Sequence, residues 1–483
     1  MALLYIFINF GVYHLSAKNS VNINQFTILS LTIGFVLILL FAYCRWKNYE
    51  IAKCFIPVAL LCGIMFMAVT PVFRGPDEEL HFYRAYEVSA GYALSDMQNG
   101  VGGRQLPSSL KSATPDNTLE FNFSNLKENA KIPLNKEKIE FIPFSTAALY
   151  SPIQYFPQSI GIFVGRTLNL NPIYIAYLGR LTNFIIWLLI CFLALKNLKG
   201  MPLIFLIALL PMSLHMATTL SPDALTNSIS MLFISYIVRI SYFEKDKQIT
   251  MLNLRLVFAM AITISLCKIV YLPLCLFFLI VPLKKFKSKK SFILSQAILI
   301  LSCFMVNIIW LCSSFGYLTD VNEGVNAAGQ IAYILSNPIQ FLNIILATTA
   351  SYFNVYIHSM VGANLCLFDV PIYYWVSNCY LLLLIYMAFN VNIFDAKKFD
   401  KYIVLVISAA IFLLINISLY IQWMPVGKLL IDGIQGRYFL PLLPFLLFAF
   451  KPKKNVNIDK AIVVSSIFLT YPVLVTLLLK HLH

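Results

Sequence analysis

The chain has 483 residues, of which 59% are hydrophobic and only 12% charged, with a mean hydropathy of +0.78. Apolar runs of spanning length recur along it, which excludes a soluble globular protein and reads as an all-α polytopic membrane protein. The net charge of +15 falls mainly in short loops between those runs, as the positive-inside rule describes, so the expected partner is the lipid bilayer and not nucleic acid.

The first residues, Met1 to Tyr13, are apolar from the second position, with no basic n-region and no small-residue cleavage site; they read as a retained first span. Further apolar runs lie near 25–44, 54–73, 173–195, 201–217, 223–242, 254–267, 269–283, 292–314, 372–393, 402–422, 438–450 and 461–480, after a first near 2–15. The basic loops around Lys47, Lys196, Lys245, Lys284–Lys290, Lys397 and Lys453 then all fall on one side, which is expected to be cytoplasmic. That agreement requires 254–283 to form two short helices meeting at Lys268. About fifteen residues rise only about 22 Å against a hydrocarbon core of roughly 30 Å, so this hairpin should not cross fully. Two larger external loops result, 74–150 and 315–370, with 151–168 and 341–360 interfacial or re-entrant. No tandem repeat is evident, and residues 1–483 read as one integral domain of roughly 11–13 membrane helices. Ten cysteines without a Cys-x-x-Cys pair, with Cys366 the one placed outside, indicate neither a disulfide framework nor a zinc site.

Asp77 and Glu78 stand in Arg74-Gly-Pro-Asp-Glu-Glu-Leu-His-Phe-Tyr-Arg84, just past a span. Pro76 suits the first turn of a helix reaching about Gly91, in which Asp77, His81 and Arg84 share a face. Acids in a first turn also meet the helix dipole favourably and need no other purpose. Lys268 lies among apolar residues, where a charge costs roughly 2.5–3.5 kcal/mol on insertion scales, so a partner or a task is expected unless it snorkels. Arg437 opens a span from the external side within Gln435-Gly-Arg-Tyr438; its planar fork suits a phosphate, although an interfacial anchor would need none. Asp223 falls in a short external turn where it can cap the next helix, and His215 nearby reads as hydrogen-bonded structure. Arg180, about two turns and roughly 10 Å inside a span, should face protein or a polar cavity.

Taken in order, Pro76-Asp77-Glu78, His81, Arg84, Tyr150-Ser-Pro152, Ser221-Pro-Asp223, Lys268 and Gln435-Gly-Arg-Tyr-Phe-Leu-Pro441 resemble a family of bacterial polytopic membrane proteins grouped with the GT-C glycosyltransferases. The resemblance spans about residues 50–450. It implies a GT-C-like helix bundle in a bacterial inner membrane, with an acidic catalytic residue in the first external loop and the site facing the periplasm or exterior. Enzymes of the GT-C superfamily move a sugar from a polyprenyl-phosphate or diphosphate carrier to an acceptor, as O-antigen glucosyltransferases do, so the resemblance implies transfer here to a polysaccharide or glycolipid. The donor phosphate needs cations, for which Arg437 and Lys268 are the candidates. The acceptor hydroxyl needs a base, Asp77 first and Glu78 second. His81, Arg84, Arg180, Asp223, Gln435 and Tyr438 complete the expected substrate-binding set. No cofactor is assigned; a divalent metal shared by Asp77 and Glu78 stays open. So do two other classes: a flippase or transporter of lipid-linked saccharide, and a polysaccharide polymerase or ligase that would depend on 315–370.

Overall fold

A computed structural model describes residues 23–46, 51–115, 122–317, 324–390, 394–449 and 459–481. The expected first span, 2–15, and the lysines Lys47, Lys451, Lys453 and Lys454 lie outside those residues. With 74% helix and 5% strand the fold is all-α in class, and it is a polytopic membrane protein.

The helices in chain order begin with α1 (Ile23–Trp46) and α2 (Ile51–Val69). Next comes α3 (Glu78–Ser89), which opens an excursion carrying the strands β1 (Asp96–Gln98), β2 (Val101–Pro107) and β3 (Ile139–Pro143). After it come α4 (Phe156–Thr167), α5 (Pro172–Asn197), α6 (Pro202–Ala208), α7 (Pro211–Ala217), α8 (Asp223–Val238) and α9 (Met251–Cys267). The rest is α10 (Lys289–Ser314), α11 (Ala327–Ser336), α12 (Pro338–Val361), a hairpin of β4 (Asn364–Leu365) and β5 (Val370–Pro371), α13 (Tyr374–Asn390), α14 (Lys398–Trp423) and α15 (Asp459–His481).

Six of the described helical segments are long and apolar enough to cross a membrane: Ala52–Val69, Pro172–Asn197, Asp223–Phe243, Lys289–Tyr317, Pro338–Val361 and Lys398–Trp423. The others are shorter or interrupted, for reasons the sequence carries. The run 201–217 is two short helices because Pro211 cannot continue the hydrogen-bond ladder of α6. The run 269–283 does follow a break at Lys268, but Ile269–Ile280 winds as a 3-10 helix around Pro273. Gly436–Phe448 does the same around Pro441 and Pro444. Such runs rarely exceed three or four residues, so two of this length, each starting at a candidate cation, mark the interior as specialised.

The segment 74–150, whose mixed composition suggests a small folded excursion, is folded over its described residues, with a sheet that its weak periodicity does not mark. Strands β1, β2 and β3 form an antiparallel sheet in that order, with Asn99-Gly100, both at positive φ, turning β1 into β2. Phe82, Tyr86, Leu106, Leu110, Ile142, Phe144 and Tyr155 form its own apolar core beside the larger core of the bundle. Helix α4 seals it to the membrane helices: a Cβ on Gly161 would stand 2.1 Å from the Leu178 carbonyl of α5. That close crossing brings Arg180 of α5 beneath α3.

The segment 315–370 is not a plain loop, since it contains α12, 24 residues long. Asn337 joins α11 to α12, and the hairpin β4–β5 follows directly.

Candidate functional site

Two ionic centres lie side by side under α3, and they divide the residues singled out from the sequence. In the first, Glu78 is fully buried and meets Arg180 in a forked pair, Nε to Oε1 at 2.6 Å and Nη2 to Oε2 at 2.7 Å. The same carboxylate accepts the Gly75 N–H at 2.8 Å and the Leu220 N–H at 2.9 Å. Arg180 also donates to the Thr70 and Pro71 carbonyls at 2.8 and 2.9 Å, groups left without helical partners past the end of α2. Burial alone would raise the Glu78 carboxyl, but Arg180 and the two backbone donors outweigh it and hold it below the usual carboxylate range. A carboxylate with both oxygens so engaged cannot take up a proton from a hydroxyl or share a metal with Asp77. Glu78 as second base, Arg180 as a substrate ligand and a metal between Asp77 and Glu78 are therefore set aside: this pair is a structural clamp. Among the described residues no group of three or more His, Cys, Asp or Glu is placed to hold a metal ion.

The second centre joins three charged residues from separate chain segments, Asp223, Lys268 and Arg437. Asp223, the first residue of α8, takes Lys268 Nζ on Oδ1 at 2.5 Å, and its Oδ2 stands 3.6 Å from Arg437 Nε. Asp223 is thus a counter-ion, and Pro222, not Asp223, occupies the cap position of α8. Lys268 ends α9 in extended backbone, at φ −148° and ψ 125°, so its side chain leaves the helix axis and lies over Tyr438 at 4.8 Å and Tyr150 at 5.8 Å. Arg437 lies between the rings of Tyr438 and Phe368, at 5.5 and 5.8 Å. Its Nη1 reaches the Met216 sulfur at 3.6 Å, while its Nε is buried without a hydrogen-bond partner. That nitrogen is ion-paired with Asp223 Oδ2 beyond hydrogen-bond reach, so an anion entering the site would compete with Asp223 for the guanidinium.

Asp77 borders this centre from α3. It occupies the cap position with φ 53° and ψ 24°, makes no capping hydrogen bond with its side chain, and is exposed. Pro76 stands before the helix, outside the first turn. The carboxylate of Asp77 is near enough to His81, Tyr150, Tyr155 and Arg437 for its charge to act on each. His81 shares a hydrogen bond of 2.9 Å between Nδ1 and the Tyr155 hydroxyl. Burial pushes its pKa down to about 4, so the ring is neutral at neutral pH.

Arg84, expected on the same face, is engaged elsewhere. It pairs with Glu87 and donates to the Ala93 carbonyl at 2.7 Å and the Tyr150 carbonyl at 3.3 Å, so it supports the wall carrying Tyr150 and does not bind substrate directly. Gln435 is half-buried beside Gly436, with its amide oxygen buried and unpartnered. His215 accepts the Cys366 N–H at 3.1 Å, a structural role.

Sequence reasoning brought Asp77, His81, Asp223, Lys268, Arg437 and Tyr438 to one place. It missed Tyr155 and Phe368, for which no sequence signal exists, and left Tyr150 unassigned although the Tyr-Ser-Pro motif pointed to it. It also missed Glu79, whose Oε2 is buried without a partner and whose pKa burial raises to about 7.

The model of a protein family described as "Predicted membrane protein (DUF2142)" matches residues 60–446, a range that contains every residue of both centres. None of the curated proteins and none of the solved structures matches the chain.

Proposed function

The chain belongs to this DUF2142 family of predicted membrane proteins, and we propose that it is a GT-C-like glycosyltransferase moving a sugar from a polyprenyl-phosphate carrier to a polysaccharide or glycolipid acceptor. The observation that carries the reading is the convergence of Lys268 and Arg437 on Asp223 beside an exposed, uncapped Asp77.

In this reading the acceptor oxygen bonds to the anomeric carbon as the carbon–oxygen bond to phosphate breaks. The hydroxyl proton passes to Asp77, and the bonding electron pair leaves with the phosphate. Arg437 and Lys268 neutralise the charge growing there, in a buried setting where such contacts are stronger than in water. Asp223 keeps the two cations together and is displaced in part by the phosphate. Tyr150 and Tyr438 flank Lys268 as aromatic walls. The site then opens on the external face, opposite the basic loops.

The test is transfer from radiolabelled polyprenyl-phosphate sugar in membranes containing native lipopolysaccharide. Wild type should transfer; Asp77→Asn should lose at least about a hundredfold in rate, the scale of a general base. Arg437→Gln should lose both rate and binding of the lipid phosphate. Binding without transfer, unchanged in Asp77→Asn, would reject catalysis and favour a carrier of the same lipid-linked sugar.

A further inference from the structure

Among the described residues, seven other than glycine have positive φ, and four of them fall in two segments that each supply a residue to this site: Phe73 at 70°, Asp77 at 53°, Cys366 at 58° and Phe368 at 64°. For a bulky side chain such a backbone is an outlier that persists only where the surroundings hold it. The four belong to two segments far apart in sequence. One, Phe73–Asp77, presents the exposed carboxylate; the other, the β4–β5 hairpin, presents the Phe368 ring to Arg437. One ion pair joins them: Arg74 Nη2 to Asp369 Oδ2 at 2.5 Å, with the arginine fully buried. Each of its partners is the immediate neighbour of a strained residue.

We infer that Arg74 and Asp369 are positioning residues, a latch that holds both strained segments in register so that Asp77 and the Phe368–Arg437 stack face the same space. Asp369 also lies 3.5 Å from Lys480 of α15, a half-exposed lysine that supplies a natural control.

Hydrogen exchange of the full-length protein in lipid nanodiscs tests the latch. Asp369→Asn should raise exchange about tenfold both in the hairpin and in Phe73–Asp77, which Asp369 reaches through Arg74, while α2 and α5 stay protected. Asp369→Glu should restore both, and Lys480→Ala should leave Phe73–Asp77 unchanged. Loosening confined to the hairpin, or spread over the whole bundle, would overturn the latch. Titration with polyprenyl phosphate adds a second readout, resting on the proposed function: Asp369→Asn should bind about tenfold more weakly. If wild type binds no polyprenyl phosphate, that function fails, whereas the exchange data still decide the latch.

Discussion

Glu78 and Arg180 stand 102 positions apart, and as isolated letters both looked like parts of a site. Their chemistry was legible, a carboxylate at the start of an external helix and a guanidinium inside an apolar span, but their pairing was not, because no local spacing links them. The geometry makes them a clamp that closes the end of α2 and fixes the Leu220–Asp223 turn at once. Removing one partner of a buried ion pair leaves an uncompensated charge, so Arg180→Met should destabilise the protein by about 3–5 kcal/mol. Glu78→Gln together with Arg180→Met removes that charge and should recover at least about 1 kcal/mol of the loss in thermal unfolding. Simple additivity of the two substitutions would sink the clamp. Asp77 next door is the opposite case: the residue most easily dismissed as a capping acid is the one whose carboxylate does not cap.

The elements that carry the two cations owe their shape to proline. Pro273, Pro441 and Pro444 remove N–H donors that an α-helix would use, and the chain winds more tightly from Lys268 and from Gly436 onward. The prolines are visible in the sequence, whereas the apolar composition around them reads as ordinary spans; hence the runs 269–283 and 438–450 were placed correctly but not their 3-10 winding. Arg437 is set by the contact just before it. A Cβ on Gly436 would stand 2.2 Å from both the Tyr356 carbonyl and the Met360 N–H nitrogen of α12. Gly436→Ala should therefore push the run off α12, lower the unfolding temperature and weaken polyprenyl-phosphate binding about tenfold or more. Gly433→Ala, at φ 84° with open space around the new methyl, should cost about 1 kcal/mol in stability and leave binding alone. Equal effects of the two on binding would separate Arg437 from the packing of Gly436.

At the scale of the molecule, α12 is long and apolar enough to cross a membrane, and the segments at both of its ends are tied to other parts of the chain. Val325 pairs with Pro425 and Gln330 accepts the Gly427 N–H at 3.0 Å before α12, and the hairpin after it meets Arg74. If the basic loops are cytoplasmic, as expected from their charge, both ends lie outside, and we propose that α12 is then re-entrant or interfacial. Cysteines introduced at Ala328 and Tyr373, in a background without Cys312 and Cys379, should both react with an impermeant thiol reagent from outside; labelling of one alone would make α12 a crossing span. The membrane class and the helical runs were determined by the sequence itself, because hydropathy and proline act locally and need no partner. The three-stranded sheet was announced locally by Asn99-Gly100 alone and was overlooked in polar, weakly periodic sequence. Which acid pairs with which cation was decided by tertiary structure only: a buried charge takes whatever partner the packing of α3, α5, α8 and the hairpin sets beside it, and that packing follows from contacts between residues far apart along the chain.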